Sequence, residues 1–177
     1  ITLPFSTNPG ERHLLLCDGD FASRVAFQHR GEDYHLAAGF HIDRESLRAG
    51  HDAQVAVRPR LYLNGAPMPL ELIQNPVLHL RSHTHDGVDS SQQFRDLTLT
   101  DGDLLLQTFR VPENLSHLSV ELTGTVERLS DGEPVTLRAA SSIVANQIHQ
   151  TTETAVILLA RDDSGYGVEV RDTSGNP

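Results

Sequence analysis

Apolar residues along this chain alternate with polar ones in one run after another, and that period of two most limits what it can fold into. The runs "AQVAVRPRLYL", "PVLHLRS", "DLLLQTFRV" and "HLSVELTGTVERL" place apolar side chains at every second position over much of their length, as a strand with one buried face does. Further candidates are "HLLLC", "SRVAFQH", "YHLAAGFHI", "PLELI", "FRDLTLT", "TAVILLA" and "GVEVR". They recur roughly every 8 to 14 residues, with Gly, Asp, Asn and Pro between them. Helical turns fit only "DRESLRAG", where Asp43 can cap and Gly50 can stop the turn, and "SSIVANQIHQ". The lack of helical segments between strands argues against a parallel α/β sheet. The pattern predicts an all-β chain: an immunoglobulin- or fibronectin-like antiparallel β-sandwich with additional N-terminal strands.

Several turns can be placed from residue type. Asn64-Gly65 stands between two alternating runs, and both residues tolerate positive φ, so a tight hairpin is expected there. Asp86-Gly87 lies near the tip of a longer hairpin predicted between residues 77–82 and 94–100, and Asp131-Gly132 makes another turn. Pro59, Pro67, Pro69, Pro76 and Pro112 are expected at strand starts or edges, where a missing amide donor is tolerated. Charge and glycine interrupt the strands at residues 44–52. The reading is therefore a sandwich over residues 51–177, preceded by a β segment over residues 1–50. That segment has too few strands to stand alone and should pack on the main domain or on a neighbour.

From residue 53 to residue 177 the chain resembles a known family. The run "AQVAVRPRLYLNGAPMPLELIQNPVLHLRS", the long hairpin after it, "FRVPENLSHLSVELTGTV" and the exit "DTSGNP" are similar to macroglobulin-like domains of the alpha-2-macroglobulin superfamily. That resemblance implies a seven-stranded sandwich strung in tandem with others. It also implies a scaffold role, because the family's thioester needs a Gly-Cys-Gly-Glu-Gln motif, whereas Cys17 sits in "LLLCDGD". A turn such as "DTSGNP" that closes no hairpin is expected to hand over to another β-rich module.

Charge narrows the partners. Fourteen arginines and no lysine face 24 acidic residues, a net charge of -10, so a nucleic-acid backbone or an anionic membrane surface would be repelled. No run approaches the roughly 20 apolar residues of a membrane span, and "ITLPFSTNPGE" has no signal-peptide character. Cys17, within an apolar run, is expected to be a small buried hydrophobe. The expected partners are neighbouring domains of the same chain and, beyond them, another protein.

Catalytic constellations are sparse. No Gly-x-Ser-x-Gly elbow accompanies the ten histidines. The pairs Asp18/Asp20 and Asp101/Asp103 read as polar turns rather than calcium loops, and no phosphate-cradling glycine loop is present. The sharpest feature is "PVLHLRSHTHDG". In a strand, His79, Arg81, His83 and His85 share one face, and Leu78 and Leu80 share the other. His83 and His85 could chelate a metal ion with His79 as third ligand. Against this, Arg81 lies in the same row and would repel a cation, and such a face suits an exposed sheet surface. The remaining histidines, His13, His29, His35, His41, His51, His117 and His149, are scattered.

The sequence therefore predicts a non-catalytic structural and protein-interaction module that uses no cofactor. Arginine without lysine suggests a GC-rich genome, and the chain is read as a segment of a larger exported bacterial protein, secreted or in the cell envelope or periplasm. The alternatives are a ligand-binding sandwich for carbohydrate or metal, or an accessory domain of an enzyme. The lack of Trp, with only Tyr34, Tyr62 and Tyr166 as tyrosines, weighs against a carbohydrate platform.

Overall fold

The computed structural model describes residues 2–145, 156–162 and 165–171. In chain order the strands are β1 (Gly10–Asp18), β2 (Phe21–His29), β3 (Tyr34–Ile42), β4 (Asp52–Leu63), β5 (Ala66–Met68), β6 (Gln74–Thr84), β7 (Asp89–Phe94), β8 (Leu105–Arg110), β9 (Leu115–Glu127), β10 (Pro134–Val144), β11 (Val156–Asp162) and β12 (Gly165–Arg171). Every pairing is antiparallel. One sheet runs β10-β9-β6-β7. In the other, β4 lies between β3 on one edge and β5 and β8 on the opposite edge. The first two strands and the last two form separate hairpins. This is the expected antiparallel, immunoglobulin-like sandwich.

The core sits between the two four-stranded sheets. Ala53, Val55, Val57, Leu61 and Leu63 of β4 face Leu78 and Leu80 of β6 and Leu118, Val120, Leu122 and Val126 of β9, nearly all in one buried cluster. Each such Leu or Val contributes about 1.5–3 kcal/mol on leaving water. Gly124 of β9 is buried, and a Cβ there would overlap the Ile73 methyl Cγ2.

The Asn64-Gly65 turn forms as predicted, with φ of 50° and 82°, the pair of positive values that a two-residue hairpin requires. Asp43 caps a 3-10 turn, Arg44–Ser46, by accepting from the Glu45 amide. Gly87 and Gly132 take positive φ at their turns.

Several expectations need correction. The long hairpin closes with β7, Asp89–Phe94, and residues 95–104 are not a strand. Asp96 at φ 55° turns the chain out of extended geometry, and Leu97 and Leu99 then pack on the core from a loop. "PLELI" holds a 3-10 turn, Leu70–Leu72, whose Leu70 amide donates to Asp101 Oδ1 at 3.2 Å. Residues 141–144 belong to β10 rather than to a helical turn. Pro59 lies in mid-strand, but in the gap between β8, which reaches Val57, and β5, which begins opposite Leu61. Its missing amide hydrogen therefore breaks no ladder bond toward that edge. Cys17 is exposed, on the separate two-stranded β1–β2 hairpin. "DTSGNP" lies outside the described residues.

The link from β2 to β3 is tied to the sandwich by polar contacts. The Asp33 amide donates to Asn64 Oδ1, and Asn64 Nδ2 donates to the Gly31 carbonyl. The Leu129 and Ser130 amides donate to Glu32 Oε2 and Oε1 at 2.8 and 2.6 Å. Burial alone would push the Glu32 carboxyl up. The hydrogen bonds from the Ser130 hydroxyl, the Leu129 amide, Tyr34 and the Ser130 amide outweigh it and hold the group below its ordinary 4.5. Burial, then the hydrogen bond and charge of Glu32, push Tyr34 up to about 12.

Leu122→Ala should destabilise the chain by about 2–5 kcal/mol through the cavity it leaves, and Gly124→Ala by about 1–3 kcal/mol through overpacking. Leu15→Ala on the exposed hairpin should stay within about 0.5 kcal/mol of the parent. Urea midpoints at unchanged slope measure all three.

A carboxyl whose folded value is depressed adds stability above its unfolded value and loses it as pH falls through the folded one. Glu32→Gln should therefore weaken the fold at neutral pH, with the difference from the parent shrinking below pH 4.5. A difference equal at pH 7 and pH 3 would refute the anionic clamp.

Candidate functional site

The inward demands of the core decide what the outer face of the β10-β9-β6-β7 sheet presents. In β6, Leu78, Leu80, Ser82 and Thr84 are buried, so His79, Arg81 and His83 point outward. The ladder sets their neighbours. Arg81 lies between Ser119 of β9 and Ser91 of β7, His83 between His117 and Asp89, and His79 between Glu121 and Gln93. Glu121 is already paired with Arg138 of β10 at 3.0 Å.

His83 Nδ1 meets Asp89 Oδ1 at 2.7 Å, with half of the His83 side chain and most of Asp89 exposed. An exposed pair of this kind contributes at most about 1 kcal/mol. His79 Nε2 lies 3.5 Å from the Thr123 hydroxyl. His85 follows the end of β6 and is half-buried, with its backbone amide donating to the Asn114 carbonyl and its Nε2 buried without a hydrogen-bond partner. Asp86 at the tip is held below the ordinary aspartate range by its hydrogen bond to Thr84, then by its own backbone amide and the nearby His83 and His85.

His79, His83 and His85 thus have different surroundings: His79 meets Thr123 of β9, His83 meets Asp89, and His85 Nε2 is buried. Among the described residues no group of three His, Cys, Asp or Glu side chains is placed to hold a metal ion. The cross-strand neighbour of His83 is instead His117, which sequence reasoning left among the scattered histidines. Only the β6–β9 register reveals that neighbour.

The His83–Asp89 pair has the form of a general base with its orienting carboxylate, and among the described residues no hydroxyl is hydrogen-bonded to His83 Nε2. Asp18 and Asp20 are exposed at the β1–β2 turn, and Asp101 serves the Leu70 amide. Around Arg81 the sheet surface forms a concavity of about 480 Å³ lined by Arg81, His83, Asp89, Ser91, His117 and Ser119. The arrangement offers hydrogen-bond donors and one permanent cation, which suits binding. Titration calorimetry with zinc should show nothing tighter than micromolar and no change in His83→Ala; nanomolar binding lost in that variant would establish a metal site.

Comparison with known proteins agrees with the sandwich. The chain is 28% identical over 169 residues to Actin-binding protein F of Dictyostelium discoideum, an alignment covering 91% of this chain and 7% of that protein. The chain thus spans a small part of the length of the relative it matches. That organism is not a bacterium, so the match lends no support to a bacterial source. The family model for the AbpF third immunoglobulin-like domain matches residues 43–151, more than half of the chain. It supports an immunoglobulin-like assignment and not the macroglobulin one. The chain belongs to the family of the AbpF third immunoglobulin-like domain.

Proposed function

We propose that this chain is a non-catalytic interaction module of a larger multidomain protein and that its partners are proteins of the actin cytoskeleton. The observation that carries this reading is the division of labour in the sandwich. The apolar side chains of the inner strands are spent on the core, while one sheet turns a broad polar face outward. Such a face recognises macromolecules by shape and hydrogen bonding. The likeness to part of Actin-binding protein F points the reading toward actin.

The N-terminal hairpin favours contact with a neighbouring domain as well. The β1–β2 register places Leu14, Leu16, Phe21, Val25 and Phe27 on one face, and Phe21 is 69% exposed. A two-stranded hairpin with an uncovered apolar face is marginal in water. A flanking β-rich module would supply its second layer.

Co-sedimentation of the 177-residue chain with filamentous actin tests the main reading. Saturable recovery in the pellet, reduced by substitutions on the polar sheet face and unaffected by Leu15→Ala, is the expected result. Recovery no greater than that of an unrelated acidic sandwich domain would refute actin as the partner. A panel of generic esterase, glycosidase and protease substrates should give background rates, and turnover abolished by one Ser or Asp substitution would make the chain an enzyme.

A further inference from the structure

Arg81 is the permanent cation that lines the concavity on the polar face. It projects from the middle of β6, and among the described residues no carboxylate lies within ion-pair distance of it, although the chain carries a net charge of -10. Among the described residues Arg110 reaches Asp52, Arg128 reaches Asp131, Arg138 reaches Glu121, Arg95 reaches the Gln93 amide oxygen, and Arg12 and Arg48 reach backbone carbonyls, whereas Arg81, like Arg24, Arg30, Arg44, Arg58 and Arg60, makes no such bond. Arg81 instead stands in the concavity, flanked across the ladder by the hydroxyl-bearing Ser119 and Ser91, with His83 and His117 one row away. The one acidic side chain lining the concavity, Asp89, is held by His83 Nδ1 at 2.7 Å. That bond engages Asp89 Oδ1, and it offsets the carboxylate charge only when His83 is protonated.

The donor set has a definite chemical preference. A guanidinium presents a planar fork that matches two oxygens of an oxyanion. Ser91 and Ser119 each offer a rotatable hydroxyl on either side of it, and His117 offers a ring N–H. A carboxylate has two oxygens and would leave part of this set unused, whereas a phosphoryl group has three terminal oxygens for the fork and both hydroxyls. The cation-repelling guanidinium at the centre disfavours a metal ion in the same space.

We propose that the concavity around Arg81 is a binding site for a phosphoryl group, with Arg81 as the principal ligand and Ser91, Ser119 and His117 as further donors. The site stands independently of whether the domain touches actin. Its ligand chemistry has two sources, a phosphorylated serine of a protein partner or free phosphate.

The test is an amide-shift titration of the isotopically labelled 177-residue chain with inorganic phosphate, then with a short phosphoserine peptide and its unphosphorylated counterpart, using sodium chloride at matched ionic strength as control. Saturable shifts confined to residues 81–91 and 117–119, absent with chloride, are expected. Arg81→Gln should weaken binding about tenfold or more, the scale of a lost charge-assisted hydrogen bond. Arg81 is exposed, so the substitution leaves the fold intact, and unchanged shifts elsewhere verify this. A phosphopeptide that binds more tightly than phosphate, with its unphosphorylated form silent, assigns the source to a modified protein; equal affinities assign it to free phosphate. Shifts reproduced by chloride, spread over the molecule, or undiminished in Arg81→Gln would overturn the proposal.

Discussion

The packing of β4 against β6 and β9 is the constraint on which the rest depends. Val55, Val57 and Leu61 from one sheet meet Leu78, Leu118, Val120 and Leu122 from the other, all essentially removed from water. Because successive side chains in a strand point to opposite faces, a one-residue slip of β6 would bury His79, Arg81 and His83 and expose the leucines. The core therefore fixes the outward row of the polar face as firmly as it fixes its own leucines.

The two sheets carry their irregularities where the packing tolerates them. The β4 ladder changes partner between β8 and β5, and Pro59 occupies the gap. Gly124 makes room for Ile73 beside the irregular start of the β6–β9 ladder, next to Pro76. The loop after β7 forgoes strand pairing so that Leu97 and Leu99 can cover the cluster. On the outside, polar groups mostly satisfy one another locally, as Glu32 does with two turn amides and Glu121 with Arg138. Among the described residues Arg81 has no such partner, and it lines a concavity of that face.

Much of the candidate site was legible in "PVLHLRSHTHDG". The alternation placed His79, Arg81 and His83 on one face, where they are. The same pattern does not fix the surroundings of each histidine, because a strand also twists and ends. His85 falls just past β6 with its ring nitrogen shut away, and His83 finds Asp89 across the hairpin. Neither outcome is encoded in spacing.

By itself the sequence determined the all-β class, the positions of most strands, the tight turn at Asn64-Gly65 and the polarity of each sheet face. These follow from a side chain's relation to its own backbone: which residues tolerate positive φ, and which alternate with period two. Tertiary structure alone decided which strands are neighbours. It brought His117 opposite His83 and Ser119 opposite Arg81, left the β1–β2 hairpin with Cys17 and Phe21 in the open, and made a loop of residues 95–104. Those outcomes depend on cross-strand packing between segments far apart in the chain, whose energy is shared among many side chains and written in no single stretch of residues.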